Sequence, residues 1–230
     1  SKYFFSSLER PTVLFQDNHL LAVNKPVGWH SVPNNPGPVS PKCLLSELKR
    51  TELGGGRHKD FLLSLHRLDQ PCSGVILFAK TSKAATRVTA MWKKKLVEKQ
   101  YICVVLQDRI ESLLKQSKAT GNDWHSLAGQ VSPNLKNPRS VNMRHINDST
   151  GRSTVSSHRQ VSIDWKLFGV NNTMPKFQMI LVKTNDGSRH MVRALLAKVG
   201  GCPIQGDFRY NAAAVPLADQ SVALHAFRLS

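Results

Sequence analysis

Two hydrophobic periods alternate along the chain, one of two residues and one of about 3.6, with polar and glycine- or proline-bearing breaks between the segments. Val13-Leu14-Phe15 and Leu20-Leu21-Ala22-Val23 flank the polar Gln16-Asp17-Asn18-His19, a pattern that predicts two strands joined by a tight turn. Lys25-Pro26-Val27-Gly28 ends this hairpin, the stretch from Pro33 to Pro41 predicts a surface loop, and Leu44 to Leu53 predicts a short helix. Beyond Gly54-Gly55-Gly56, the apolar runs Phe61 to Leu68 and Val75 to Ala79 predict strands. Asp69-Gln70-Pro71-Cys72-Ser73-Gly74 between them reads as a turn, which puts Asp69 on a loop between two strands.

Thr81 or Ser82 is placed to cap a helix in which Ala85, Val88, Met91 or Trp92, and Leu96 recur at three- and four-residue spacing, as a face packed on a sheet requires. Lys93, Lys94 and Lys95 follow at its C-terminal end, where the helix dipole favours cations, and Lys99 comes soon after. Tyr101 to Val105 resumes as a strand. Residues 107–150 are polar and weakly periodic, so beyond a helix at Glu111 to Leu114 they read as a polar insertion. Strands are predicted again at Ser153 to Ile163 and Phe177 to Thr184. Val192, Leu195, Leu196 and Val199 then line one helical face that stops at Gly200-Gly201. Strands interrupted by isolated helices predict an α+β fold on a largely antiparallel sheet.

Charge narrows the partner. The 230 residues carry 32 Lys and Arg against 15 Asp and Glu, a formal charge of +17, and such a field attracts a polyanion. Nucleic acid is the expected partner, and the lysines from Lys93 to Lys99 are candidate phosphate contacts. A membrane is not expected, since no apolar run approaches roughly 18 residues. The length, with 40% hydrophobic residues, suits one domain with a substantial core. Cys43, Cys72, Cys103 and Cys202 lie far apart without a Cys-x-x-Cys pair, so they read as reduced thiols rather than a zinc or disulfide framework.

Asp69 is the only acid between Asp60 and Glu98. Ordinary glycoside hydrolysis uses two facing carboxylates about 5 to 10 Å apart, whereas covalent attack at a sugar carbon can use one. On local sequence alone, an Asp before Pro-x-Ser-Gly is more often a turn or cap residue than a catalytic one. Nor does the neighbouring Cys72-Ser73 form the Gly-x-Ser-x-Gly elbow of a serine hydrolase.

The run His66-Arg67-Leu68-Asp69-Gln70-Pro71-Cys72-Ser73-Gly74 to Phe78-Ala79-Lys80 resembles the signature of RluA-type pseudouridine synthases. Other landmarks of that family occur in order: Asn24-Lys25-Pro26-Val27-Gly28, Glu98-Lys99-Gln100-Tyr101, Gly187-Ser188-Arg189-His190-Met191-Val192-Arg193, Cys202-Pro203-Ile204-Gln205-Gly206-Asp207 with Tyr210, and Leu224-His225-Ala226. The resemblance implies a pseudouridine synthase fold, a mixed and largely antiparallel sheet flanked by helices, with a central RNA-binding cleft. It implies isomerisation of uridine to pseudouridine in structured RNA, ribosomal RNA foremost, with no cofactor and no metal. By that resemblance Asp69 is the catalytic nucleophile, Tyr101 lies against the base, Arg193 pairs with the aspartate, and Arg67 helps open the RNA. His66, Arg189 and His190 join Lys93, Lys94, Lys95 and Lys99 as expected RNA contacts.

Three positions depart from the family pattern: Ser188, Met191 and Leu195 stand where Arg, Gln and His are usual. They motivate an alternative reading, a catalytically weak or inactive synthase-fold RNA-binding factor in assembly of the ribosome or mitoribosome, with an assembly intermediate and its proteins as partners. No N-terminal S4-type module is evident, which assigns RNA binding to the domain surface or a partner. The basic composition fits the mitochondrial matrix, with the cytoplasm as the alternative compartment.

Overall fold

In chain order the elements are β1 (Thr12–Gln16), β2 (Leu20–Lys25), α1 (Leu44–Arg50), β3 (Leu63–Ser64), β4 (Ser73–Ala79), α2 (Ser82–Lys93), β5 (Lys99–Leu106), α3 (Ile110–Gln116), β6 (Lys118–Gly121), β7 (Trp124–Pro133), β8 (Val141–Arg144), β9 (Arg159–Leu167), β10 (Phe177–Thr184), α4 (Met191–Lys198) and β11 (Leu224–Leu229). They come from a computed structural model that describes residues 10–33, 42–51, 61–135, 137, 140–146, 159–169, 175–211 and 217–230. The chain groups into two compact units. The first comprises the described residues up to Val97 with Ala218–Ser221 and His225–Ser230; the second comprises Glu98–Leu217, where described, with Val222–Leu224.

In the first unit β1 pairs antiparallel with β2 as the expected hairpin, and Asp17 closes its turn by accepting the N–H groups of His19 and Leu20 at 2.7 and 2.6 Å. β2 and β3 both pair antiparallel with β4, while β11 pairs parallel to β4 through His225↔Ser73 and Ala226↔Gly74. Alternation along β2 buries Leu21 and Val23, which pack with Ile76, Phe78, Trp29, Leu44, Leu48 and Leu62. Each such fully buried side chain contributes about 1.5–3 kcal/mol. Gly74 has φ +120°, and a Cβ there would collide with the Ala226 backbone, so the Ser-Gly of the signature is what lets β11 approach β4.

Thr81 caps α2 by accepting the Ala84 N–H, as expected. The predicted packing face holds at Ala85, Val88 and Trp92, and fails at Met91 and Leu96. Ala84 and Ala85 bury against Ala79, Val88 and Trp92 are half-buried, whereas Met91 is exposed and Leu96 lies past the helix on the surface. The helix stops sooner because Lys95 adopts φ 56° while the N–H groups of Lys95 and Leu96 return to the carbonyls of Trp92 and Met91, a glycine-type C-cap built on lysine. The run Phe61 to Leu68 also yields less strand than expected. β3 spans only Leu63–Ser64, because the chain turns there: Ser64 Oγ donates to the His66 carbonyl at 2.6 Å, and the His66 ring, not a backbone carbonyl, accepts the Leu77 N–H at 3.1 Å.

In the second unit the strands are ordered β5-β10-β9-β7-β6 with β8 on β7, and each of these pairs is antiparallel. β10 has the predicted limits. β9 begins at Arg159, and residues 153–158 of the predicted strand lie outside the described residues, as do residues 34–41 of the predicted loop. The polar stretch 107–150, for which only a helix at Glu111 to Leu114 was expected, carries more regular structure than its weak periodicity implies. A 3-10 turn (Gln107–Arg109) and α3 are followed by β6 and the ten-residue β7, which lies between β6 and β9 with Leu127 and Val131 in the core. The core face of this sheet includes Trp165, Ile163, Val182, Ile180 and Cys103, covered by Leu113 of α3 and by Leu195 and Leu196 of α4. All four cysteines are buried thiols outside any disulfide, and burial pushes the Cys202 thiol up to about 12. No helix among the described residues is long and apolar enough to cross a membrane.

Candidate active site

The loop between β3 and β4 that carries Asp69 is held by hydrogen bonds from residues distant in sequence. Ser31 Oγ donates to the Leu68 carbonyl at 2.8 Å and accepts the Leu68 N–H at 3.0 Å; Gly28 N–H donates to the Gln70 carbonyl at 2.9 Å, and the Gln70 side-chain amide donates back to the Gly28 carbonyl at 3.2 Å. A turn closed by Cys72 N–H on the Asp69 carbonyl, at 3.1 Å, ends the loop. Lys25 lies at the centre of this arrangement. The β2 alternation that buries Leu21 and Val23 also buries Lys25, whose Nζ donates to the carbonyls of Pro26 (2.9 Å), Trp29 (3.0 Å) and Gln70 (3.3 Å). Burial lowers its pKa to about 8, against the charges of Cys72 and Asp69, which favour the ammonium form. The loop of Asp69 is thus tied on both sides of the aspartate, and a cation stands beneath it.

The other expected residues of this unit divide. Arg67 is exposed and Asp69 half-buried. Lys93, Lys94 and Lys95 are exposed at the end of α2. His66 is half-buried and holds the loop: its Nε2 accepts the Leu77 N–H at 3.1 Å, which leaves the proton on Nδ1, and its ring lies 5.2 Å from that of Trp92. Ser73 Oγ meets His225 Nδ1 at 2.9 Å, a contact that joins β4 to β11; burial alone lowers the His225 pKa. A hydrolytic Ser–His pair needs an orienting acid, and none contributes there among the described residues.

In the second unit Tyr101 lies on β5 opposite Val182. Arg193, on the first turns of α4, is buried and bound by Asp207 through two hydrogen bonds, Nε to Oδ2 and NH2 to Oδ1, both at 2.8 Å. Its guanidinium carbon also stands 5.6 Å from the Tyr210 ring centre. The sequence offered Asp207 and Tyr210 only as family landmarks; the structure shows both acting on Arg193. Tyr210 OH further meets His190 Nδ1 at 2.9 Å and accepts the Val141 N–H at 3.2 Å. His190, at φ 52°, turns the chain into α4, and Arg189 beside it is exposed. Lys99, expected as a phosphate contact, lies at the start of β5. It is buried, its Nζ donates to the Asp186 carbonyl and so braces the loop before α4, and burial lowers its pKa. Asp186 itself accepts from Arg159 at 3.1 Å and from Ser162 N–H at 3.3 Å.

A family model described as RNA pseudouridylate synthase matches residues 19–198, which takes in both the Asp69 loop and Arg193. The chain belongs to this family. Among its synthase relatives, an "uncharacterized RNA pseudouridine synthase YhcT" of Bacillus subtilis is 28% identical over 93% of this chain and 61% of its own length. "Ribosomal large subunit pseudouridine synthase C" of Rickettsia bellii is 26% identical over 86% of this chain and 56% of its own. The mitochondrial "pseudouridylate synthase RPUSD4" of Rattus norvegicus is 25% identical over 86% and 51%. The chain thus spans between half and three fifths of the length of these relatives. In fold it is similar to the human "RNA pseudouridylate synthase domain containing 1", with a TM-score of 0.68 at 17% identity over 97% of this chain and 79% of that one. The human domain-containing 4 protein gives 0.65 at 17% identity over 95% and 83%. Both support the synthase fold expected from the sequence.

The departures from the synthase pattern now have locations. Met191 and Leu195 are buried core residues of α4, and Leu195 packs where β7 carries Gly129. Ser188 is half-buried, and its carbonyl accepts the Met191 N–H at 3.4 Å. Two of the three exchanges therefore change packing and leave Asp69, Tyr101 and Arg193 in the chain.

Proposed function

We propose that this protein is an RNA pseudouridine synthase that isomerises uridine to pseudouridine, with Asp69 as nucleophile, Tyr101 against the base and Arg193 as the cation that keeps the carboxylate ionised. The observation that carries the reading is the loop of Asp69: a single acid on a loop tied by Ser31, Gly28 and the buried Lys25, in a chain matched by the synthase family across that region. A nucleophilic carboxylate must be both charged and immobile. Burial raises a carboxylate pKa, and a nearby cation opposes this, so a positive residue near the loop has a chemical use as well as a structural one. The reaction breaks the N1–C1′ bond of uridine, turns the uracil and rejoins C5 to C1′; the C5 proton is released and N1 gains one, so atoms and electrons balance.

The target uridine inside structured RNA must be flipped out of its stack, which costs a few kcal/mol. Exposed Arg67, Lys93, Lys94, Lys95 and Arg189 are the proposed contacts that offset this. Ribosomal RNA is the proposed substrate class, supported by the name of the Rickettsia relative, and the mitochondrial matrix is the proposed compartment, supported by the name of the Rattus relative and by the charge of +17. An association with ribosome assembly intermediates rests on the same substrate class. Carbodiimide modification and primer extension across ribosomal RNA, with and without the protein, tests the substrate: one or more stops that appear only with active protein support it, and an unchanged pattern removes ribosomal RNA.

A further inference from the structure

The second unit has two sheet faces with different chemistry. His125, Trp165 and Val182 are in register and share the face that α4 covers, as do Leu127 and Gly129, where a Cβ would lie 2.8 Å from Leu195 of α4. Tyr101, opposite Val182, is on that side, and Arg193 is on α4. Alternation then turns Trp124 on β7, Asp164 and Lys166 on β9, and Lys183 on β10 to the opposite face, with Lys118 of edge strand β6 joining them through its pairing with Ser126.

On this opposite face the Nζ of Lys183 stands 4.2 Å, and that of Lys166 5.0 Å, from the centre of the Trp124 ring. Lys183 is also 4.0 Å from Asp164, the acid that lies within this group. Phe168, two residues beyond Lys166, is 37% exposed. An indole held among lysines on a sheet surface, with a second exposed aromatic further along, has the composition of a platform for single-stranded nucleic acid: cations follow the phosphates and rings take the bases. The indole also restricts its lysines in advance, so less side-chain entropy is lost when they meet phosphate.

We propose that this face binds a single-stranded segment of the RNA, with a base stacked on Trp124 and the neighbouring phosphates held by Lys118, Lys166 and Lys183. The inference rests on the reading of the protein as an RNA enzyme and adds a contact on the sheet face away from Tyr101 and α4. In the free protein the two ammonium groups lie over the indole. RNA phosphates draw them outward, and the base takes their place, because base–aromatic stacking is stronger than an exposed lysine–indole contact. Net charge decides the occupant: Lys118, Lys166 and Lys183 outnumber Asp164 and the Glu98 carboxylate, which Gln100 holds at 2.7 Å beside Lys183, so the face selects a polyanion over an acidic or apolar peptide surface.

The test measures anisotropy of a fluorescein-labelled 15-residue oligouridylate, titrated with the full chain at several KCl concentrations. Wild type, Trp124→Leu, Trp124→Tyr and Lys166→Gln/Lys183→Gln are compared, each shown to be folded by its thermal transition. Trp124→Leu is expected to weaken binding by about ten-fold or more with little change of salt slope, and Trp124→Tyr to retain most of the affinity. Lys166→Gln/Lys183→Gln is expected to lower the salt slope by about 1.4, the release expected for two phosphate contacts on a single strand. Wild-type affinity and slope in folded Trp124→Leu and Lys166→Gln/Lys183→Gln would overturn this face as a binding site, while leaving the proposed activity intact. Failure of wild type to bind any RNA would instead remove both.

Discussion

Replacing Asp207 by Asn or Ala tests how far the arginine of the candidate site depends on its buried partner. The Arg193 side chain is 5% exposed and that of Asp207 1%, and the pair is bidentate at 2.8 Å on both branches. Removing one member of such a buried pair leaves the other charge uncompensated, at a cost of about 3–5 kcal/mol. Asp207→Asn keeps the size and one acceptor and falls near the lower figure. Asp207→Ala also loses the acceptor for the Arg209 N–H, at 3.1 Å, and falls near the upper one. For a chain of this length each kcal/mol lowers Tm by about 2–4 °C, so the expected drop is roughly 6–20 °C. The double variant Arg193→Met/Asp207→Leu removes both charges and should be more stable than either Asp207 variant. Urea denaturation followed by circular dichroism, with the slope checked for constancy, measures these differences. Asp207→Asn should also lose most isomerisation while retaining RNA affinity, because the aspartate acts through Arg193. Single variants within about 1 kcal/mol of wild type, or a double variant at the sum of the singles, would refute the reasoning.

Lys25→Met should destabilise by about 3 kcal/mol, since it leaves the buried carbonyls of Pro26, Trp29 and Gln70 without their donor, and should slow catalysis by freeing the Asp69 loop; denaturant titration and single-turnover rates check both. The pKa of Lys25, lowered to about 8 by burial, gives a pH signature: from about pH 8 upward the folded state sheds a proton that the unfolded chain keeps, so stability should rise with pH relative to Lys25→Met, read as the difference in urea midpoint at pH 7.5 and 9.5. Gly74→Ala should cost more than about 3 kcal/mol, because its Cβ meets the Ala226 backbone at a positive φ; soluble expression and Tm report it, and a near-wild-type Tm would contradict the β4–β11 packing. Thr81→Ala should cost only about 1 kcal/mol through loss of the α2 cap, again from the urea midpoint.

Much of this fold was legible where a strand keeps one face buried by strict alternation. β2, β4 and β10 follow their hydrophobic pattern closely, and the Asp69 loop falls between strands as its proline and glycine imply. β7 was hidden for a physical reason. Its inward positions include His125 and Gly129, because α4 packs so closely that a glycine is required, and an apolar alternation with a glycine in it reads as loop. Lys99 and Lys25 were obscured by their charge. Both are buried against carbonyls, and Lys25 could have been placed by continuing the Leu21–Val23 alternation two residues further. The His66 ring stands in for a strand acceptor of the Leu77 N–H, a role that periodicity cannot show. The Arg193–Asp207 pair joins residues fourteen apart across a turn, and no local pattern marks it before the chain is folded.

The central claim is tested most directly by tritium release from RNA labelled at uridine C5, under single-turnover conditions with enzyme in excess, comparing wild type with Asp69→Asn. Joining C5 to the sugar expels that hydrogen, so release by wild type and none by Asp69→Asn, at equal RNA affinity, is the predicted result. Equal release by both proteins, or no release from any labelled RNA that the wild type binds, would contradict it.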